Sequence, residues 1–129
     1  FSIPMLLASN PAHQVLALPR QYGGGDDLIH GAEALDALQR FRASKAFLGA
    51  SGITAEGPND AGVGPGLIYG AMMRRASETI ILADHSKFER PSLSVYGEWS
   101  ASVTLVSDQA PEGTLAASLR QAQVKVLSV

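Results

Sequence analysis

The strongest constraint on the fold is a series of short, continuously apolar segments that alternate with helical patterns. Their apolar residues run without the polar alternation of a half-exposed strand, which indicates burial on both faces of a sheet. Strands separated by helix-length connections are typical of parallel pairing. We therefore predict an α/β fold with an open, mainly parallel sheet and helices on both faces. The five predicted strands span residues 14–18, 45–49, 79–83, 103–106 and 124–129.

Helical periodicity fills the intervals between these strands. Apolar side chains recur every three or four residues, and Asp36 with Arg40 forms a favourable i,i+4 pair. Pro65 precedes the second such stretch, at a place that suits a first helical turn. The predicted helices span residues 31–41, residues 67–76, and a segment after Pro111 that carries Leu115, Leu119 and Ala122.

Glycine and proline mark the segments between these elements. The polar, glycine-rich residues 21–27 are predicted as a loop. Residues 54–66 are also predicted as a loop, and their last part, residues 62–66, is interpreted as a flexible linker into the second helix. Residues 91–99 break the pattern and are predicted to form either a short extra strand or irregular structure.

Composition limits the kind of protein. A chain of 129 residues with 46% hydrophobic and 17% charged residues fits one globular domain with a buried core. It has no cysteine, which excludes a disulfide framework, a thiolate nucleophile and a cysteine–zinc site, and fits a reducing compartment. No apolar run approaches the roughly 20 residues that cross a bilayer, and residues 1–7 lack the basic region of a signal peptide. We predict a cytoplasmic protein without a membrane partner.

The charge balance argues against nucleic-acid binding by this chain alone. Ten Lys and Arg residues face twelve Asp and Glu residues, giving a net charge of −2, whereas a DNA-binding module carries a basic face. The densest basic points are expected on solvated surfaces of the protein. They are Arg40 and Arg42 with Lys45, and Arg74 with Arg75.

The predicted sheet directs attention to the loops at the carboxyl ends of its strands, where open α/β proteins bind ligands. The richest of these loops is Asp84-His85-Ser86-Lys87, directly after a buried strand. Lys87 offers positive charge to a phosphate, Ser86 a hydrogen bond, and Asp84 an acceptor for a sugar hydroxyl. The alternative interpretation is that Asp84 caps a turn while Lys87 is simply solvated. On spacing alone the two are evenly balanced.

Other candidate motifs are weaker. Gly49-Ala50-Ser51-Gly52 has the small residues that let an anion approach the backbone, although an ordinary tight turn is the better interpretation on its own. The glycines of residues 62–66 lack the Lys-Ser/Thr of a phosphate loop. His13, His30 and His85 show no metal-ligand spacing, and His85 is expected to be a surface residue. We predict no metal, no cofactor and no catalytic residue.

Two segments, residues 45–53 and 81–88, together resemble the C-terminal effector-sensing domain of DeoR-type bacterial transcriptional regulators. Gly23-Gly24 before residues 28–31, and Leu105-Val106-Ser107-Asp108 before a last helix and strand, support the resemblance. It covers nearly the whole chain, and Ala-Asp-x-Ser-Lys-Phe, residues 83–88, is its most specific element.

The resemblance implies a domain similar in fold to ribose-5-phosphate isomerase and glucosamine-6-phosphate deaminase. It also implies a phosphorylated sugar or related metabolite as effector, a repressor that assembles as a homo-oligomer, and DNA binding through a preceding winged helix-turn-helix domain. The positions implied to bind ligand are Gly49, Ser51, Gly52, Asp60, Asp84, Ser86 and Lys87.

The chain departs from the family pattern in three places. The family's opening strand and phosphate loop are absent before Phe1, together with the DNA-binding domain, so residues 1–129 are expected to be a fragment of the sensing domain. Gly57-Pro58-Asn59 stands where the family tends to have Gly-Leu-Thr. Tyr69 falls where a family lysine is expected, so the effector is either unusual or not contacted by this segment.

Two alternatives to a sensor stay open at this point. One is a relative of the sugar-phosphate isomerases or deaminases that keeps activity, because Asp60 and Asp84 are carboxylates at expected strand ends. The other is a structural or dimerisation domain with a vestigial site. No general base can be placed against a substrate carbon from the sequence, which favours the sensor.

Overall fold

The computed structural model describes residues 33–129. The predicted strand at 14–18, the predicted loop at 21–27, His13 and His30 lie outside the described residues. We number the described elements in chain order. They are α1 (residues 33–38), β1 (Ala43–Gly49), β2 (Gly52–Thr54), β3 (Gly57–Asp60), α2 (Val63–Arg75), β4 (Ala76–Leu82), a 3-10 turn (His85–Lys87), β5 (Ser94–Val95), β6 (Val103–Ser107), α3 (Gly113–Gln121) and β7 (Lys125–Ser128).

The main sheet has four parallel strands in the order β1-β4-β6-β7. Leu48 pairs with Ile81, Ile81 with Leu105, and Leu105 with Val126, so one apolar row crosses the whole sheet. The predicted α/β class with a mainly parallel sheet is confirmed. Since all four strands run in the same direction, their carboxyl ends meet at one edge, where the polar loops of the sequence follow.

The core lies on one face of this sheet, under α3. Ile81 and Leu105 are fully buried there, and Leu115 with Leu119, one helical turn apart, covers them. Ile53 of β2 completes the same cluster. Burial of each such side chain contributes about 1.5 to 3 kcal/mol. This packing fixes the ends of β4 and β6 and hence the loops that follow them.

A second, antiparallel sheet of order β2-β3-β5 corrects the sequence analysis, which predicted residues 54–66 as a loop. Its central strand contains Gly57 and Pro58, residues that strands disfavour, so no local pattern indicates it. Contacts from distant residues hold it instead. Trp99 Nε1 donates to the Thr54 carbonyl at 2.7 Å, and Tyr96 N–H donates to the Pro58 carbonyl at 2.9 Å. Of the two alternatives for residues 91–99, the short strand is observed, as β5.

The start of α2 is a second correction, because the predicted flexible linker at 62–66 is already helical from Val63. Pro65 does lie in the first turn. The inward face of α2 consists of Gly66, Gly70 and Ala71, whereas Leu67 is exposed. A Cβ atom on Gly70 would lie 2.7 Å from the Tyr96 carbonyl oxygen, so the glycine permits close contact between α2 and the residue that follows β5.

The surface charges are mostly where the sequence places them. Asp36 and Arg40 form their i,i+4 pair at 2.9 Å, although α1 ends at residue 38 rather than 41. Arg75 is not simply solvated, because its Nε donates to the Phe41 carbonyl at 2.8 Å. Within residues 33–129, no helix has both the length and the apolar character needed to cross a membrane.

Candidate functional site

A cleft of about 550 Å³ opens at the carboxyl ends of β1, β4 and β6. Its size is typical of a site for a small molecule. The turn after β1, the end of β3, the loop after β4 and the end of β6 all contribute to its lining. The polar lining residues are Ser51, Asp60, Asp84, Lys87, Ser107 and Asp108.

Five of the seven predicted ligand-binding residues line this cleft, namely Gly49, Ser51, Asp60, Asp84 and Lys87. The other two have different surroundings. Gly52 is buried in β2, where an added Cβ would overlap the Arg90 carbonyl and Asn59 Oδ1. Ser86 directs both its N–H and its hydroxyl to Asp84 Oδ1. Each of these two residues therefore has a packing or capping role in the structure.

One wall of the cleft is built around Asp60, which is only 5% exposed. Asp60 Oδ2 accepts from Gly62 N–H at 2.9 Å, directly before α2. Ser51 Oγ donates to Asp60 Oδ1 at 3.4 Å and accepts from Ala61 N–H at 3.3 Å. These bonds join the turn after β1 to the start of α2, and they fix the positions of both polar side chains.

Tyr96 supports the same wall from behind. Its hydroxyl donates to the Gly49 carbonyl at 2.7 Å, and its ring meets Tyr69 edge-on, with centroids 5.4 Å apart. Burial raises the pKa of Tyr96, so the hydroxyl keeps its proton and stays a donor at neutral pH. Tyr69, at the position of a family lysine, thus packs against Tyr96. The sequence carries no local signal for Tyr96, because the contact spans 47 residues.

The opposite wall is the loop of residues 84–87, which we call the 84–87 loop. Asp84 accepts from Ser86 N–H at 2.9 Å and caps the 3-10 turn. Hydrogen bonds from Ser86, together with the charge of Lys87, hold the pKa of Asp84 below its usual value, so it is ionised at neutral pH. Asp84 thus caps the turn, as one of the two interpretations predicts, and it also lines the cleft together with half-buried Lys87.

Asp108, at the end of β6, is a cleft residue that the sequence analysis did not select. Its Oδ1 accepts from His85 N–H at 2.7 Å, and its Oδ2 lies 2.6 Å from His85 Nδ1. The hydrogen bonds from the His85 side chain and backbone hold the pKa of Asp108 below its usual value. The strand-end rule pointed to this loop, and residues 105–108 supported the family resemblance, but no ligand-binding role was predicted for Asp108. His85 is half exposed, as predicted, yet it is paired.

The chemistry of the lining is unbalanced in charge. Three carboxylates, Asp60, Asp84 and Asp108, face the cleft, and among the described lining residues Lys87 is the sole cation. Carboxylates accept hydrogen bonds from hydroxyl groups, whereas the ammonium group attracts an anion. Within the part of the chain that the structure describes, no three metal-ligating side chains converge on one point.

A second cleft, of about 610 Å³, lies between α2, the start of β4 and residues 95–102. It is lined by Glu56, Arg74 and Glu98 among others, and it lies away from the carboxyl ends of the parallel strands. It holds none of the residues predicted to bind ligand.

Comparison with known proteins identifies the family. A family model described as the DeoR C-terminal sensor domain matches residues 1–109, which include every polar lining residue of the first cleft. The chain belongs to the DeoR C-terminal sensor domain family. The predicted recognition of a DeoR-type regulator is therefore confirmed, and with it an effector-sensing regulatory role for the domain.

A curated relative is consistent with this assignment. The HTH-type transcriptional repressor GlcR of Bacillus subtilis (strain 168) is 30% identical over 83 residues. The matched segment is 64% of this chain and 32% of the relative, so it spans about a third of that repressor.

Proposed function

We propose that this DeoR-family sensor domain binds a phosphorylated sugar or related metabolite in the first cleft and so regulates a transcriptional repressor. The observation that carries the proposal is the convergence of Ser51, Asp60, Asp84 and Lys87 at one edge of the sheet. These residues come from three separate segments of the chain. Acceptors and one cation around a small cleft suit a ligand with several hydroxyl groups and an anionic group.

The sugar hydroxyls and the phosphate of the ligand contact different residues of the cleft. Asp60 and Asp84 accept hydrogen bonds from sugar hydroxyls, and Ser51 adds a short polar side chain beside them. Lys87 faces the phosphate. Among the described lining residues, Lys87 is the one cation that can contact the phosphate. Gly52 and Ser86 support the site through packing and capping.

The proposal assigns no catalysis to the cleft. A general base works best when its pKa lies near the operating pH. Asp84 and Asp108 are both held below the usual carboxylate pKa, which makes them weak bases. The full-length protein is therefore expected to leave ribose 5-phosphate and glucosamine 6-phosphate unchanged. Turnover of either compound would favour the alternative of an active isomerase or deaminase.

The proposal also covers DNA binding and assembly of the full-length protein. DNA binding belongs to a separate domain of the full-length protein, which acts in the cytoplasm as a homo-oligomer. Effector binding to this domain then changes the affinity of the assembled repressor for its operator. The net charge of −2 supports the division, because DNA-binding modules carry a basic surface.

The test is the thermal stability of the full-length protein with a panel of sugar phosphates and the corresponding free sugars. A ligand present at 100 times its dissociation constant adds about 2.7 kcal/mol to the free energy of unfolding, which raises the melting temperature. We expect at least one sugar phosphate to do so, and Lys87→Ala to reduce the shift. Lys45→Ala is the matched control, since Lys45 is exposed beside Glu78, 3.8 Å away, and does not line the cleft. No shift with any compound would contradict the proposal.

A further inference from the structure

We propose that Asp108 is a positioning residue that fastens the 84–87 loop at the mouth of the cleft and so presents Lys87 to the ligand. The inference rests on the proposed function, because it concerns how that site is held. It assigns Asp108 a role through His85 rather than through contact with the ligand.

The geometry of the pair carries the inference. One residue, His85, donates to both oxygens of Asp108, from its backbone N–H at 2.7 Å and from Nδ1 at 2.6 Å. Ser107 Oγ adds a third donor to Oδ1 at 3.2 Å. Asp108 therefore accepts three hydrogen bonds within the protein, one more than the two that hold Asp60 on the other wall. Hydrogen bonds to a carboxylate are about twice as strong as those between neutral groups.

The 84–87 loop is attached at both ends. After the loop, Phe88 bridges Ile53 of β2, and Glu89 N–H donates to the Ile53 carbonyl at 2.7 Å. At the start of the loop, the two hydrogen bonds from His85 to Asp108 join it to the end of β6. Lys87 lies between the two attachments, so loss of the bonds to Asp108 would free the loop on one side of it.

The attachment joins the ends of neighbouring strands. Asp108 follows β6 and the 84–87 loop follows β4, and these strands pair directly, Leu82 with Val106. The core beneath α3 fixes both strand ends, so the backbone at Asp108 is held in place.

The hydrogen bond from His85 Nδ1 requires a proton on Nδ1, which both the imidazolium ion and one neutral tautomer supply. Asp108 therefore selects the tautomer of neutral His85.

The test compares Asp108→Ala with Asp108→Asn in the full-length protein. Asn keeps an oxygen that accepts from His85 N–H, whereas Ala removes both acceptors. Without ligand, we expect amide hydrogen exchange across residues 84–87 to be faster in Asp108→Ala and close to wild type in Asp108→Asn. Asp36→Ala is the control, because it removes an exposed, paired carboxylate far from this loop in sequence.

Affinity is the second readout, measured by calorimetry with whichever sugar phosphate raises the wild-type melting temperature most. If the loop is correctly placed only about a tenth of the time in Asp108→Ala, the apparent affinity falls about tenfold. Asp108→Asn is expected to recover most of it. Because the pair is on the surface, the melting temperature of the unliganded protein should hardly change.

Each outcome is decisive. Unchanged exchange in Asp108→Ala would overturn the positioning role, whatever happens to affinity; a fall in affinity without a change in exchange would instead make Asp108 a direct ligand contact. If no sugar phosphate bound the wild-type protein, the proposed function would be wrong. The exchange measurement, which uses no ligand, would still decide the role of Asp108.

Discussion

The two walls of the first cleft are held in place in opposite ways. The wall of Ser51 and Asp60, with Tyr96 behind it, is largely buried, since Asp60 is 5% and Tyr96 6% exposed. The wall of the 84–87 loop and Asp108 is open to solvent, and the His85 and Asp108 side chains are 49% and 45% exposed. A buried polar group that loses its partner costs the full desolvation penalty, whereas exposed pairs contribute little to stability. We infer that the first wall supports the fold and that the second adjusts binding.

The largest expected effect is on the buried side, at Gly52. An added Cβ there would overlap the Arg90 carbonyl, a backbone atom that cannot rotate away. Gly52→Ala is expected to lower the free energy of unfolding by about 2 to 3 kcal/mol, the upper part of the range for overpacking. Chemical denaturation measures this. Gly64→Ala is the matched control, because its Cβ would meet nothing within 4 Å. Equal stability of the two variants would contradict tight packing behind this wall.

The next effect concerns the Tyr96 hydroxyl. Tyr96→Phe keeps the ring but leaves the Gly49 carbonyl without its donor at 2.7 Å. We expect a loss of about 1 to 2 kcal/mol in the free energy of unfolding, from the broken hydrogen bond. Thermal and denaturant unfolding would show it. Tyr96→Phe could instead be as stable as wild type but bind ligand more weakly. The buried wall would then also adjust binding, which would contradict the different roles assigned to the two walls.

A smaller effect on the exposed side should appear in acid. Asp84 and Asp108 both have a pKa below the ordinary value of 3.8 in the folded protein. Groups with a lowered pKa contribute stabilisation that is present above their unfolded pKa and is lost as pH falls through the folded value. Exchange protection of the 84–87 loop should therefore persist at pH 5 and fall below about pH 4. Asp108→Asn should flatten this acid dependence; an unaltered profile would show that Asp108 is not responsible.

The smallest expected effect is that of salt on Lys87. An ammonium group facing a phosphate near the surface is screened by ions, with a Debye length of about 8 Å at physiological ionic strength. Affinity for a sugar phosphate should decline as sodium chloride rises in wild type. The decline should be weaker in Lys87→Gln, measured by calorimetry at several salt concentrations. The same salt dependence in both proteins would remove Lys87 from the phosphate contact.

The main sheet could be predicted because its strands contain short apolar runs that are visible in the local sequence. The run Ile80-Ile81-Leu82 is apolar throughout, and β4 is observed there, with Ile81 fully buried and its two neighbours half-buried. The ends of elements were less accurate. β4 begins at Ala76, three residues before its predicted start, because Ser77 and Glu78 are polar and only pairing with β1 makes them part of a strand.

The small sheet and the His85–Asp108 pair could not be predicted, because contacts between residues far apart in the sequence create them. β3 contains Gly57 and Pro58 and is extended because β2, β5 and Trp99 bond to it. Strand ends placed five of the seven predicted ligand-binding residues in one cleft. Strand ends do not indicate that the Ser86 hydroxyl donates to Asp84, or that His85 bonds to Asp108, which lies 23 residues further along the chain.

The most direct test of the account is to map the ligand onto the protein by nuclear magnetic resonance. A sugar phosphate that stabilises the full-length protein would be titrated into isotope-labelled sample, and the backbone amide shifts followed. The account predicts that the largest changes occur at residues 49–51, 60, 84–87 and 108, around the first cleft. Changes centred on Glu56, Arg74 and Glu98, which line the second cleft, would contradict it.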